Sequence, residues 1–204
     1  MRLKSKLICG VGVNDADYAV TQNEYQYSDG KKKCVQTWMC PFYGAWKGML
    51  MRAYDGKRKE LFPTYSGVVV CKDWHLFSNF KKWMLTQKWE GNDLDKDILF
   101  KGNKEYSPER CIFVPKYINY FVLECDKSRG IWPIGVYYHK TKGKFIASSS
   151  ERKKKVHIGN FDNPEDAHAA WKAYKHSLAT KYADQLEMEG YDIRLIEALR
   201  TRYL

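Results

Sequence analysis

The chain has 204 residues, enough for one large domain or two small ones. Its 44% apolar and 29% charged content is that of a globular protein and excludes disordered and fibrous classes. Thirty-five Lys and Arg against 24 Asp and Glu leave a formal charge of +11, which favours a polyanionic partner over a sugar or a lipid.

No run approaches the roughly eighteen apolar residues of a membrane span. The opening residues are basic and lead into a short apolar patch. That patch is too brief for a secretory signal, and it runs into the polar Asn14-Asp15-Ala16-Asp17. A cytoplasmic location follows as an expectation, and with it reduced thiols. The six cysteines (Cys9, Cys34, Cys40, Cys71, Cys111, Cys125) then read first as small buried apolar residues. No Cys-x-x-Cys pair exists. A structural Zn²⁺ would have to draw on Cys34, Cys40, Cys71 and Cys111, a less favoured alternative.

The first forty residues are polar and Tyr-rich and read as short strands and loops, with a turn at Gly30-Lys31-Lys32-Lys33. Pro41 suits the first turn of a helix that places Trp46, Met49, Leu50 and Ala53 on one face. Pro63 and Gly67 bracket a turn, and 68–71 reads as a short buried strand. Leu76, Phe80, Trp83, Met84 and Gln87 follow at helical spacing. Residues 93–100 read as a strand, 101–104 as a turn, 112–114 as a returning strand, and Pro115 opens a helix with Ile118, Phe121 and Val122. This is a strand, turn, strand, helix unit, ββα.

From Lys127 to Lys155 there are nine Lys and Arg against the single Glu151, a net of +8. The rest of the chain carries only +3. Three strands are expected here, over 133–138, 144–149 and 155–161. Asn163-Pro164-Glu165-Asp166 then starts a helix with an N-cap, a first-turn proline and acids at the positive end. Its stripe of Ala167, Ala170, Trp171, Tyr174, Leu178 and Tyr182 needs a surface to bury, and the sheet is the nearest. A last amphipathic helix is expected around 193–202. A sheet covered by a helix on one side keeps a second face for solvent or a ligand. A basic sheet of this kind can enter the major groove of DNA.

Pro133–Tyr138, Gly143–Ala147, His157–Asp162 and Glu165–Trp171 together resemble the plant ethylene-response-factor (Apetala-type) DNA-binding domain over roughly fifty residues. The resemblance implies DNA contacts from Tyr137, His139, Lys140, Lys144, Ser148, Ser150 and His157, and Lys142 and Arg152 of the basic run are expected to join them. Several family positions that hold Arg, Trp or Glu hold Tyr, His or Ser here, so the plant target sequence does not carry over.

The string Leu94-Asp95-Lys96-Asp97, Gly102–Cys111 and Asn119 resembles the HNH endonucleases of tailed phages. Cys40–Tyr43, Pro63–Tyr65, Val70-Cys71, Trp74, Phe77–Phe80 and Gly10–Tyr18 extend the resemblance over most of the chain. It implies a ββα-metal domain over 1–126 that holds Mg²⁺ through Asp95 and Asn119, with a DNA-docking domain over 127–204. Asn103 and Glu109 would organise the turn. The family's general-base histidine is replaced by Lys96, which would act as a base or as a phosphate contact, with Asp97 and His75 as substitutes. Arg110 stands where the family often has a structural Asn.

The expected protein is thus α+β, with a ββα domain and a three-stranded antiparallel sheet on one helix. Its expected function is metal-dependent cleavage of double-stranded DNA inside an infected bacterium. The alternatives are a catalytically silent DNA-binding regulator on the same scaffold, and a phage factor that acts on a host protein.

Overall fold

The computed structural model describes residues 7–123, 130–151 and 154–204. The fold is α+β with small sheets. The chain divides into two compact units. One gathers the residues up to Glu90 with Leu94–Phe113; the other gathers Gly91–Asp93 with Val114–Leu204.

The first unit opens with a hairpin of β1 (Thr21–Ser28) and β2 (Lys31–Met39), paired antiparallel. Asp29 and Gly30 form its turn, both at positive φ (50° and 72°), as a two-residue hairpin loop demands. The turn therefore sits just before the three lysines, which belong to β2. Helix α1 (Pro41–Tyr54) starts at the expected proline and buries Trp46, Met49, Leu50 and Ala53, together with Tyr43. The short α2 (Gly56–Leu61) follows. Strand β3 (Val69–Val70) pairs in parallel with β5 (Glu105–Tyr106). Helix α3 (Phe77–Met84) buries Phe77, Phe80 and Met84. Trp46, Trp74, Phe77 and Phe80 form the aromatic centre of the core, and the Trp46 indole N–H donates to the Trp74 carbonyl at 2.7 Å.

Strand β4 is shorter than expected, Asn92–Asp95, and the chain bends over 96–100 instead of extending. The cause is local. Asp95 Oδ1 accepts from the backbone N–H groups of Asp97 (2.7 Å) and Ile98 (2.6 Å), which turns the chain out of the strand. Strand β6 (Ile112–Pro115) pairs with β4 and leads into α4 (Lys116–Val122). The expected order of strand, turn, strand, helix is present.

In the second unit β7 (Val136–His139), β8 (Lys144–Glu151) and β9 (Lys154–Phe161) form an antiparallel sheet in the order β7-β8-β9. Helix α5 (Pro164–Met188) begins at the N-cap Asn163, whose side chain accepts from the Asp166 N–H. It packs on all three strands and on α6 (Ile193–Thr201). Arg200 of α6 pairs with Asp184 and Glu187 of α5.

The division falls at 113/114, not at the expected 126/127. The reason is where α4 packs. The Phe121 ring meets those of Tyr182 (5.1 Å) and Tyr203 (5.7 Å), and Tyr117 meets Tyr182 (5.4 Å). The buried Lys175 ammonium donates to the Phe121 carbonyl at 2.6 Å. The helix expected to complete the ββα domain belongs to the C-terminal unit.

Candidate nucleic-acid interface

Strand register sorts the residues of the sheet. Tyr137 faces Ile146, which faces Asn160; His139 faces Lys144. Beyond an irregularity at Ala147/Ser148, Ser148 faces His157 and Ser150 faces Lys155. Directly opposed residues share a face. One face thus carries Tyr137, His139, Lys144, Ser148, Ser150, Lys155, His157 and Asn160, with Ile146 buried among them. The other carries Val136, Phe145, Ala147, Ser149 and Glu151, and it is the side that α5 covers: Tyr174 Oη donates to Glu151.

The structure therefore brings together six of the nine expected DNA contacts on one face: Tyr137, His139, Lys144, Ser148, Ser150 and His157. Lys140 and Lys142 stand exposed in the one-turn 3₁₀ segment that links β7 to β8, at its edge. Arg152 lies outside the described residues.

Lys155 is a residue of this face that sequence reading did not single out. It is exposed, and its ammonium lies 4.5 Å from the centre of the Tyr137 ring, two strands away. The family resemblance does not point to it; the register does, since it opposes Ser150. Lys144 is ion-paired to Asp162. Both partners are largely exposed, so the pair is weak and can exchange for a phosphate.

The other expected site is in the first unit. Lys96 is 5% exposed, and its ammonium donates to both carboxylate oxygens of Asp97 at 2.7 Å and to the Asn103 carbonyl at 2.6 Å. The Asn103 side-chain amide returns two bonds, to the carbonyls of Lys96 (2.9 Å) and Glu105 (2.7 Å). Lys96 and Asn103 thus clamp the turn shut. With almost no exposed surface and its donors directed at Asp97 and Asn103, Lys96 serves the turn. Asn103 organises the turn as expected. Glu109 is exposed, and Arg110 pairs with Glu105.

Asp95 belongs to the first unit and Asn119, half-buried on α4, to the second. Burial raises the Asp95 carboxyl above its ordinary 3.8, although the two backbone donors and Lys96 pull it back and Asp97 pushes it further up. Asp95 Oδ1 caps two N–H groups, which leaves Oδ2 as the oxygen that a divalent cation would take. Among the described residues no three His, Cys, Asp or Glu side chains gather as a metal site.

The raised carboxyl has a consequence for stability. The folded state holds the Asp95 proton where the unfolded chain has lost it, so stability falls as pH rises from 3.8 through the folded value. Asp95→Asn keeps an oxygen for both backbone donors and removes the charge. It is expected to flatten that fall and to leave the protein at least as stable at neutral pH, as read by urea unfolding at a series of pH values.

The remaining candidates are structural. His75 Nε2 lies 3.2 Å from the Val70 carbonyl and 3.4 Å from Tyr54 Oη, in a network that ties α1 to β3. The cysteines of the less favoured Zn²⁺ alternative do not gather among the described residues. Cys34 is exposed on β2 and Cys40 is buried at the start of α1. Burial raises the Cys71 thiol and pushes Cys111 up to about 12, away from the thiolate that zinc requires. Cys125 lies outside the described residues. Among the described residues no helix is long and apolar enough to cross a membrane.

Comparison with protein-family models, with curated proteins and with solved structures finds no match.

Proposed function

We propose that the protein binds double-stranded DNA, with the uncovered face of the β7-β8-β9 sheet in the major groove. The observation that carries this reading is the register that puts Tyr137, His139, Lys144, Ser148, Ser150, Lys155 and His157 on the face opposite α5. Hydroxyl, imidazole and phenol groups there can read base edges, while the lysines at the rim neutralise phosphates. The order of strand, turn, strand, helix over residues 92–122 agrees with an HNH scaffold in which Lys96 fills the histidine position and serves the turn. DNA docking on a catalytically silent scaffold is the function these residues support best.

The test is binding of short mixed-sequence duplexes by wild type and by Lys140→Glu/Lys142→Glu/Lys155→Glu across a range of salt. The triple variant is expected to fold normally and to bind about tenfold or more weakly. Its plot of log affinity against log salt is expected to be shallower by about three counterions. Unchanged affinity and slope would remove the sheet from the interface. Supercoiled plasmid with Mg²⁺ is expected to be bound and left intact. Nicking that disappears in Asp95→Ala would instead establish an endonuclease.

A further inference from the structure

The β1–β2 hairpin is built unlike the rest of the first unit. Fourteen of its seventeen strand residues are exposed: in β1 every residue after Thr21 is exposed, and in β2 only Val35 and Met39 are partly covered. Yet its root is firm. Val20 and Cys40, which flank the two strands, are both buried in the core, and the Cys40 N–H donates to the Val20 carbonyl at 2.8 Å. A two-stranded ribbon bare on both faces is marginal by itself, so its usefulness lies in what it touches.

The side chains it offers define the partner. On one face stand Asn23, Tyr25 and Tyr27 against Gln36, Cys34 and Lys32; on the other, Glu24, Gln26 and Ser28 against Val35, Lys33 and Lys31. Tyr25 and Tyr27 are 62% and 73% exposed, and the Lys32 ammonium lies 3.9 Å from the centre of the Tyr25 ring. Apart from Trp38 near the root and the two phenols, no large apolar side chain is presented along the exposed length. What is present is amide, hydroxyl and phenol groups along the ribbon and three consecutive lysines beside its tip. Glu24 and Asp29 reduce the ribbon's net charge to +1, but five residues of the outer end, 29–33, carry three lysines against one aspartate.

A ribbon of eight residues per strand is about 26 Å long. The major groove of B-DNA is about 12 Å wide and 8.5 Å deep and accepts a two-stranded ribbon. The groove of an RNA duplex is too deep and narrow for one.

We infer that the β1–β2 ribbon is a second DNA-contacting arm: Lys31, Lys32 and Lys33 engage phosphates while Asn23 and Gln36, which share one face, meet base edges in the major groove. The inference rests on the reading of the protein as a DNA binder but not on the C-terminal sheet being the docking surface.

The experiment compares wild type, Lys31→Glu/Lys32→Glu/Lys33→Glu, Asn23→Ala/Gln36→Ala and the sheet variant described above, on mixed-sequence duplex DNA at several salt concentrations. Thermal unfolding of each variant serves as a folding control. All three ribbon lysines are exposed, so the ribbon triple variant is expected to unfold at the wild-type temperature. It is expected to lose about tenfold in affinity and two to three counterions of salt slope, roughly one per phosphate contact. Asn23→Ala/Gln36→Ala is expected to keep the slope and lose affinity only for a subset of duplexes. Wild-type affinity and slope in the ribbon triple variant would overturn the inference, and so would tighter binding of single-stranded RNA than of duplex DNA. If the ribbon variant binds weakly and the sheet variant binds normally, the arm stands and the sheet reading falls; the reverse result removes the arm alone. Failure of the wild type to bind duplex DNA overturns both.

Discussion

Gly135→Ala is expected to destabilise the C-terminal unit strongly. Gly135 sits at φ +81°, where an L side chain is strained by roughly 1–2 kcal/mol. A Cβ built there would lie 2.1–2.3 Å from three atoms of the Trp171 indole. The ring cannot step aside. It stacks on His168 at 5.5 Å and meets Tyr203 edge-on at 5.9 Å, and it is 6% exposed. Forcing a methyl group into packed surroundings costs about 1–3 kcal/mol more. The sum, about 2–5 kcal/mol, is a large part of the roughly 5–15 kcal/mol that stabilises a typical domain. It corresponds to a fall of about 8 °C or more in Tm for a unit of this size. The Gly135 carbonyl also accepts from the Ser148 N–H at 2.9 Å, so the shift would reach β8 and the proposed DNA face. Calorimetry reads the stability. Hydrogen exchange is expected to place the loss of protection in β7, β8 and the first turns of α5.

The second large effect is at Trp46. This side chain is fully buried and touches the rings of Tyr43 (5.7 Å) and Phe77 (5.5 Å). Trp46→Ala removes the ring, at about 3–5 kcal/mol, and leaves the Trp74 carbonyl without its 2.7 Å donor, at about 1–3 kcal/mol. Urea unfolding is expected to show the first unit close to its limit of stability. Trp46→Phe fills most of the space but still strands the carbonyl, so it is expected to cost less than half as much. Equal losses for the two substitutions would mean that the hydrogen bond, not the packing, carries the residue's contribution.

The sequence was most legible where local chemistry decides the structure. Asn163-Pro164 starts α5 because the amide caps the Asp166 N–H and the proline lacks the N–H that a first turn leaves unpaired. Trp46, Met49, Leu50 and Ala53 fall on the buried face of α1 because apolar periodicity reports the core directly. It was least legible where a side chain acts on a distant or unusual partner. Residues 93–100 alternate like a strand, yet Asp95 caps two backbone groups and Lys96 turns inward, a competition that hydrophobic pattern does not record. Lys155 looked like one more charge in a basic run until pairing placed it opposite Ser150. The resemblance to a nuclease gave Lys96 a chemical role, whereas its burial and its three acceptors give it a mechanical one.

The packing of α4 bears on how such modules can be inherited or transplanted. A gene fusion that took only the sheet and its long helix would leave Tyr182 without the ring of Phe121, and Lys175 without the carbonyl that receives its ammonium. An ammonium without its acceptor in an apolar setting is a severe defect. The smallest portable piece therefore starts at β6 or α4, well upstream of the residues that would meet DNA. Shuffling at the charge boundary near 127 would cut through the packed module.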